Sequence, residues 1–326
     1  MAYERRRFTE EQIQFANNVN ILEYAKQSFD VKKVGTNSYK IEGYGGLHIN
    51  PVTNKWNCFC QNKGGGPIQF VMFTENKSWV EAVKQLIGVT SINAFNYQKT
   101  VKREEPKGKL ILPEKNNTYK HMMAYLIQTR KIDKDIVYRL IKNKKIYEDK
   151  YKNCVFVGYD NKGEARYASI RGTNTNIERF RGDVKNSDKA YNFCIEGNKN
   201  SSKVYVFESP IDLMSYLTLK RINSGNGFKF NDHLVSLGGL SDKALERYLI
   251  EKPNIKEINL CLDNDSDGYV AANRLKEKYK DKYIVNIEYP NEKDYNEDLK
   301  KLYEVMNIQK ENLAHNKDSE EEELEI

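Results

Sequence analysis

Between residues 203 and 289 the chain alternates strictly between short, continuous apolar runs and amphipathic stretches, a pattern that few folds accept. The runs are VYVFE (204–208), HLVSL (233–237), INLCL (258–262) and YIVNIEY (283–289). Between them lie PIDLMSYLTLK, with its proline at the start where a helix tolerates it, SDKALERYLIE, with Ser241 as its expected cap, and GYVAANRLKEKYK. Strands without polar alternation must be buried on both faces. The expected fold is therefore α/β: a Rossmann-like, mostly parallel four-stranded sheet with helices on both faces.

In an open sheet of that kind, ligands bind outside the carboxyl ends of the strands, and acidic residues stand there. Glu208 ends the first strand. Asp263 and Asp265 follow the third, in CLDNDSDGY, with Asp267 and Gly268 beyond, and Asp294 follows the fourth, in NEKDYNEDL. Carboxylates on neighbouring loops repel one another unless a cation lies among them, and hard oxygen donors suit Mg2+ or Mn2+. A single Asp after a strand is a turn former or helix cap, and Asp212 and Asp267 read as capping or supporting residues. An EF-hand reading of DNDSDG fails, because Arg274 stands where the bidentate glutamate belongs and a strand precedes the loop.

Residues 1–96 read as an α+β module. Thr9 and Gln12 form a capping box for a first helix, a second helix covers 21–27, and strand-like pieces SYKIEG, GLHIN and KWNCFC follow. The run Lys63-Gly64-Gly65-Gly66-Pro67 leads into an apolar helix, IQFVMF. Ser78 with Glu81 caps a last helix that Gly88 stops. Residues 97–110 lack apolar periodicity and read as a linker. A second α+β module, 111–200, has two helices (118–130 and 133–143, the latter capped by Asp133). Its strands CVFVGYD and ARYASIR are joined by a hairpin turn over Asp160–Gly163. The α/β domain spans 201–305, and the acidic tail 306–326 is expected to be disordered.

The net charge of +7 hides a gradient. Residues 91–190 carry 23 basic and 12 acidic side chains, a net of +11, whereas 191–316 come to −2 and 317–326 to −5. A basic stretch joined to an acidic one suits a protein that holds phosphates with the first and cations with the second. No run of about 18 apolar residues exists, which excludes a membrane span, and the opening MAYERRRFTEEQ is no signal peptide. Five scattered Cys fit a reducing, cytoplasmic setting better than a disulfide scaffold. Cys154, Cys194 and Cys261 lie in apolar runs and read as packing residues. The four dispersed His offer no base–nucleophile pair of the hydrolase kind.

FESPIDLMSY, with Glu208 and Asp212, then SLGGL and LCLDNDSDGYVAA, resemble the TOPRIM domain over about 203–300. That domain is shared by bacterial primases, topoisomerases, some nucleases and recombination proteins. The resemblance implies that Glu208, Asp263 and Asp265 are the catalytic and metal-binding carboxylates, the glutamate as general acid/base and the aspartates on Mg2+, with Asp294 assisting at the metal. Phosphoryl transfer needs the attacking oxygen positioned and the developing charge neutralised, which a carboxylate-held metal supplies.

The front module is similar to the zinc-binding module of bacterial primases in its WNCFCQNKGGGPIQFV stretch and its SWVEAVKQL helix. Those primases use two pairs of ligands. Here there are Cys58 and Cys60, with His48 the nearest other candidate, so four ligands are not assembled and the module reads as a zinc-free version. Lys63–Gly66 lacks the Lys-Ser/Thr end of a P-loop and reads as backbone geometry or a DNA-facing loop. The middle module resembles the basic half of a primase core in FVGYDNKGEARYASIRGTNTNIERFRGDVKNSDKAYNF. This implies that Arg171, Arg179, Arg181, Lys185 and Lys189 face template or nucleotide phosphates, and that Tyr167 or Tyr191 stacks a base.

As a whole the chain resembles the primase-like TOPRIM proteins of plasmids and conjugative elements. That implies a cytoplasmic nucleotidyltransferase that binds a single-stranded DNA template and joins ribonucleoside triphosphates into short RNA primers with Mg2+ or Mn2+. Its implied partners are a replicative helicase or other plasmid replication and transfer proteins, with no membrane. Two alternatives use the same fold: a TOPRIM nuclease or strand-processing enzyme, and a non-catalytic DNA-binding accessory protein. A type I topoisomerase would need further domains to carry its tyrosine.

Overall fold

The computed structural model describes residues 8–88, 108–176, 180–225 and 228–308. The chain divides into two units, Met1–Glu105 and Pro106–Ile326. Most of the expected linker, and the tail from 309 onward, lie outside the described residues. Among the described residues no helix is long and apolar enough to cross a membrane.

In the first unit, helix α1 (Glu10–Asn18) opens with the expected capping box. Thr9 Oγ1 accepts from the Gln12 N–H at 3.2 Å, and the Gln12 side chain accepts from the Thr9 N–H at 2.9 Å. Helix α2 (Ile21–Lys26) leads into an antiparallel meander of β1 (Val31–Gly35), β2 (Ser38–Ile41), β3 (Leu47–Asn50), β4 (Lys55–Cys58) and β5 (Lys63–Gly65). Strands β3 and β4 alternate cleanly, so Leu47, Ile49, Trp56 and Cys58 face inward. They pack under α3 (Pro67–Thr74), whose Phe70 ring meets Trp56 edge-on at 6.1 Å, and α4 (Trp79–Gly88) packs against α1 and α3.

The start of the glycine run is an edge strand, and two of its three glycines, Gly64 and Gly65, are required by space. A Cβ on Gly64 would lie 2.8 Å from the Trp56 carbonyl oxygen, and one on Gly65 would lie 2.7 Å from the Gln69 side chain. Cys58 and Cys60 are both buried, with their sulfurs 3.2 Å apart. His48 points to the other face of the sheet, where its ring packs on Phe59 and its Nδ1 lies 3.1 Å from Ser38 Oγ.

The second unit begins with α5 (Lys120–Met123), which does not continue as the α-helix expected to residue 130. It widens into a π-helical turn, Ala124–Thr129, closed by the Arg130 N–H donating to the Tyr125 carbonyl at 2.9 Å. Helix α6 (Lys134–Lys142) is capped by Asp133, as expected. The sheet β6 (Ile146–Glu148), β7 (Cys154–Tyr159), β8 (Ala165–Arg171), β9 (Arg181–Asp183) contains the expected hairpin, with Gly163 at φ +79° in its turn.

The α/β sheet has five strands, one more than expected. Strands β11 (Lys203–Phe207), β12 (His233–Ser236), β13 (Glu257–Cys261) and β14 (Ile284–Ile287) are parallel in the order β12-β11-β13-β14. Strand β10 (Cys194–Ile195) pairs antiparallel on the outer side of β12. It covers an edge that would otherwise be open.

Helices flank both faces of this sheet. Phe207 and its face meet Tyr216 of α7 (Pro210–Ser224) and Tyr295 of α10 (residues 295–308). His233 points the opposite way, onto Tyr248 of α8 (Lys243–Glu251), and α9 (Ser266–Tyr279) lies beside α8 through Lys278 and Asp242. Helix α8 starts one residue later than expected, after Asp242 rather than Ser241. Asp242 makes no capping bond; it is buried against Lys278 (2.7 Å), Arg274 (3.7 Å) and Tyr279 (3.1 Å). Met122, Leu126, Leu140, Phe156 and Phe193 share one core with Phe207, Leu213 and Tyr295, so the middle module and the α/β domain have a common interior.

Candidate metal and nucleic-acid site

Strand order reverses between β11 and β13, the first parallel strand lying inside the second. The crevice at the carboxyl ends of those two strands is where an open α/β sheet binds its ligand. Glu208 follows β11 and Asp263 follows β13, and the Asp263 N–H donates to Glu208 Oε1 at 3.3 Å. Gly268 lets α9 start this close: a Cβ there would lie 2.0 Å from the Asp263 carbonyl oxygen.

Three helices begin around the crevice. Ser209 caps α7. Asp265 caps α9, its Oδ1 accepting from the Asp267 and Gly268 N–H groups at 3.1 and 2.9 Å. Asp294 caps α10 by accepting from the Glu297 N–H at 2.8 Å. Helix N-termini favour negative charge, and Asn264 ties two of the loops together, its N–H donating to the Lys293 carbonyl at 2.8 Å.

These carboxyls are held against their own electrostatics. Burial, then Asp265, pushes Glu208 up to about 8. Burial, then Asp212, Glu208 and Asp294, pushes Asp263 up to about 9. Asp212 is only 6% exposed and sits in the cap of α7 as expected, its N–H donating to Ser209 Oγ at 3.3 Å and its Oδ2 accepting from the Ser209 hydroxyl at 2.5 Å. Burial and then Asp294 lift it to about 6, while Ser209 and Arg130 work the other way.

Arg130 was invisible as a site residue in the sequence. It is buried, donates to Tyr125 Oη (2.9 Å) and Asn296 Oδ1 (2.8 Å), and its charge works against the rise of Asp212. Asn296, 1% exposed, also donates to Ser215 Oγ at 2.9 Å.

The donor set suits a hard divalent cation. Asp263 Oδ1 is buried with no hydrogen-bond partner, a state that costs free energy unless something meets it. Among the described residues no three His, Cys, Asp or Glu side chains are placed to hold a metal ion together.

The basic residues are more scattered than the cluster expected. Arg171 donates to Tyr125 Oη at 3.3 Å, which places it one residue from Arg130. Arg181 and Lys185 are exposed on and after β9. Lys189 is paired with Asp183 at 3.1 Å, and Arg179 lies outside the described residues. Of the two tyrosines, Tyr167 is closed to a base and Tyr191 is half-buried. Tyr167 is 1% exposed and donates to Asp183 Oδ1 at 2.6 Å. Tyr191 is covered by the guanidinium groups of Arg166 and Arg247, 4.8 and 4.5 Å from its ring centroid.

Two family models match the chain. One, described as a protein of unknown function (DUF3991), matches residues 124–200, and one described as Toprim-like matches 205–299. An uncharacterized protein of Bacillus anthracis, pXO2-78, is 28% identical over 286 residues, covering 83% of this chain and 80% of the relative. A DNA primase of Campylobacter jejuni is 26% identical over 322 residues, covering 82% of this chain and 51% of the relative, so the chain spans about half of that primase. Among solved structures, the zinc-binding and RNA polymerase domains of the Aquifex aeolicus primase align over 92% of this chain and 85% of theirs, at 15% identity and TM-score 0.35. The primase fragment of the bacteriophage T7 primase-helicase aligns over 82% and 93%, at 15% identity and TM-score 0.41. Residues 205–299 are a Toprim-like domain, in a chain homologous to DNA primase.

Proposed function

We propose that the chain is a primase-like nucleotidyltransferase of a plasmid or other mobile element, which binds single-stranded DNA and joins ribonucleoside triphosphates into short primers. The observation that carries this reading is the unpartnered Asp263 Oδ1 within a cluster of carboxyls raised by burial and mutual repulsion, at the switch point of the sheet. Homology to a DNA primase and a net of +11 over residues 91–190 support it.

Asp263, Glu208 and the second oxygen of Asp265 would hold Mg2+ or Mn2+, with Asp294 and Asp212 completing the negative field around them. When bound, the ion supplies charge neutralisation for the transferring phosphoryl group. Glu208, whose carboxyl is raised by burial and then by Asp265, would serve as the general acid/base for the reacting hydroxyl. Arg171, Arg181 and Lys185 would neutralise template or nucleotide phosphates.

The test is an incubation of the full chain with single-stranded DNA, ribonucleotides and Mg2+ or Mn2+. Wild type should make oligoribonucleotides, and Asp263→Ala should make none while keeping its circular-dichroism spectrum. Undiminished synthesis by the variant would sink the assignment. DNA cleavage without ribonucleotides would favour a nuclease.

A further inference from the structure

The second unit has another concave site that the reading above leaves unused. A cavity of about 510 Å3, lined by Tyr125, Gln128, Tyr151, Asn153, Asn174 and Phe180 among others, lies mainly within the segment that matches the family of unknown function. Its size is that of a small-molecule or nucleotide site. Two of its rings are held out to solvent, Tyr151 at 73% exposure and Phe180 at 57%.

The walls are built. Asp149 is 1% exposed and accepts from the N–H groups of Tyr151 (2.9 Å) and Asn153 (2.8 Å) and from Asn153 Nδ2 (3.0 Å), so it organises the turn that presents Tyr151. The Thr173 hydroxyl donates to the Lys152 carbonyl at 2.7 Å and ties that turn to the opposite wall. His121, also at the cavity, has its Nδ1 3.2 Å from the fully buried Glu148.

Exposed rings, side-chain amides and cations on one concave surface match the needs of an unpaired base. The rings offer stacking faces, Tyr151 with Lys150 Nζ 5.5 Å from its centroid and that lysine paired with Glu114 at 2.9 Å; Gln128, Asn153 and Asn174 offer donors and acceptors to its edge, and Lys152 offers charge to its phosphates. An apolar peptide or an acyl chain would leave those amides unpaired. Tyr125, one of its lining residues, accepts at Oη from both Arg130 and Arg171.

We propose that this cavity takes an unpaired nucleobase of a single-stranded nucleic acid, with Tyr151 and Phe180 as its stacking platforms. The choice of nucleic acid rests on the primase-like reading; the site itself does not depend on catalysis.

The experiment is fluorescence anisotropy of a short labelled oligothymidylate with the full chain, without divalent metal or ribonucleotides. Tyr151→Ala and Phe180→Ala should each weaken binding about 5- to 150-fold, the range of one lost stacking contact. The ratio to wild type should persist at high salt, because stacking releases no counterions. Tyr138→Ala, which removes a 53%-exposed ring on α6, should bind as wild type. Wild-type affinity in both ring variants overturns the proposal. So does, in a parallel titration with labelled ATP alone, a loss confined to ATP with oligonucleotide affinity intact. Weakened binding in the ring variants, together with no primer synthesis by wild type, upholds the cavity and removes the primase reading.

Discussion

Asp263 is placed where a carboxylate costs the protein stability. Ordinary Asp and Glu side chains titrate near pH 4, but burial and repulsion lift Asp212 to about 6, Glu208 to about 8 and Asp263 to about 9. A raised carboxyl means that the folded chain holds its proton more tightly than the unfolded one. The stabilising contribution is then fully present below about pH 4 and is lost as pH rises through about 6 to 9. In EDTA, the melting temperature of the wild type should fall across that window. Asp263→Asn should raise it near pH 9, by about 2–4 °C for each kcal/mol regained; a lower melting temperature in the variant would contradict the repulsion. Arg130 is the converse case. Arg130→Met removes the donor to the buried Asn296 Oδ1 and a positive charge felt by Asp212, and should cost about 1–3 kcal/mol in urea unfolding. Glu208, Asp263, Asp265 and Asp294 were legible because a carboxylate just past a strand has few other reasons to recur on three loops. Arg130 was not legible: its partner Asn296 is remote in sequence, and a lone arginine ending a helix reads as surface.

At the scale of elements, the parallel strands and their helices followed from periodicity, and the departures from it have local causes. The two residues of β10 are too few to show a pattern. The π-helical turn depends on Tyr125 and Arg130 meeting on one side, five residues apart, which α-helical spacing would not give. Asp242 displaces Ser241 at the start of α8 because its carboxylate is engaged by two cations of α9, a tertiary demand. The junction of β13 and α9 is the tightest. Gly268→Ala should cost about 1–3 kcal/mol by overpacking and lower activity by displacing Asp263. Gly182→Ala, where an added Cβ meets nothing within 4 Å, should be nearly neutral. Equal effects of the two in thermal denaturation would show that the Asp263 carbonyl yields freely.

At the scale of the whole chain, the charge gradient was the first sign of a division of labour. The +11 stretch contains both the exposed basic residues and the ring-lined cavity, and the carboxylates belong to the acidic segment that follows. The two segments share one hydrophobic interior, so the second unit, residues 106–326, should unfold in a single cooperative transition when expressed alone. Two separate transitions would mean that the middle module and the Toprim-like domain are independent. The claim on which the rest depends is that the carboxylate crevice is a divalent-cation site. Mn2+ binding followed by electron paramagnetic resonance tests it most directly: wild type should bind, and Asp263→Asn should bind at least about tenfold more weakly, as the loss of one charged ligand worth 1.4 kcal/mol or more requires. Equal Mn2+ affinity in the two proteins would contradict the account.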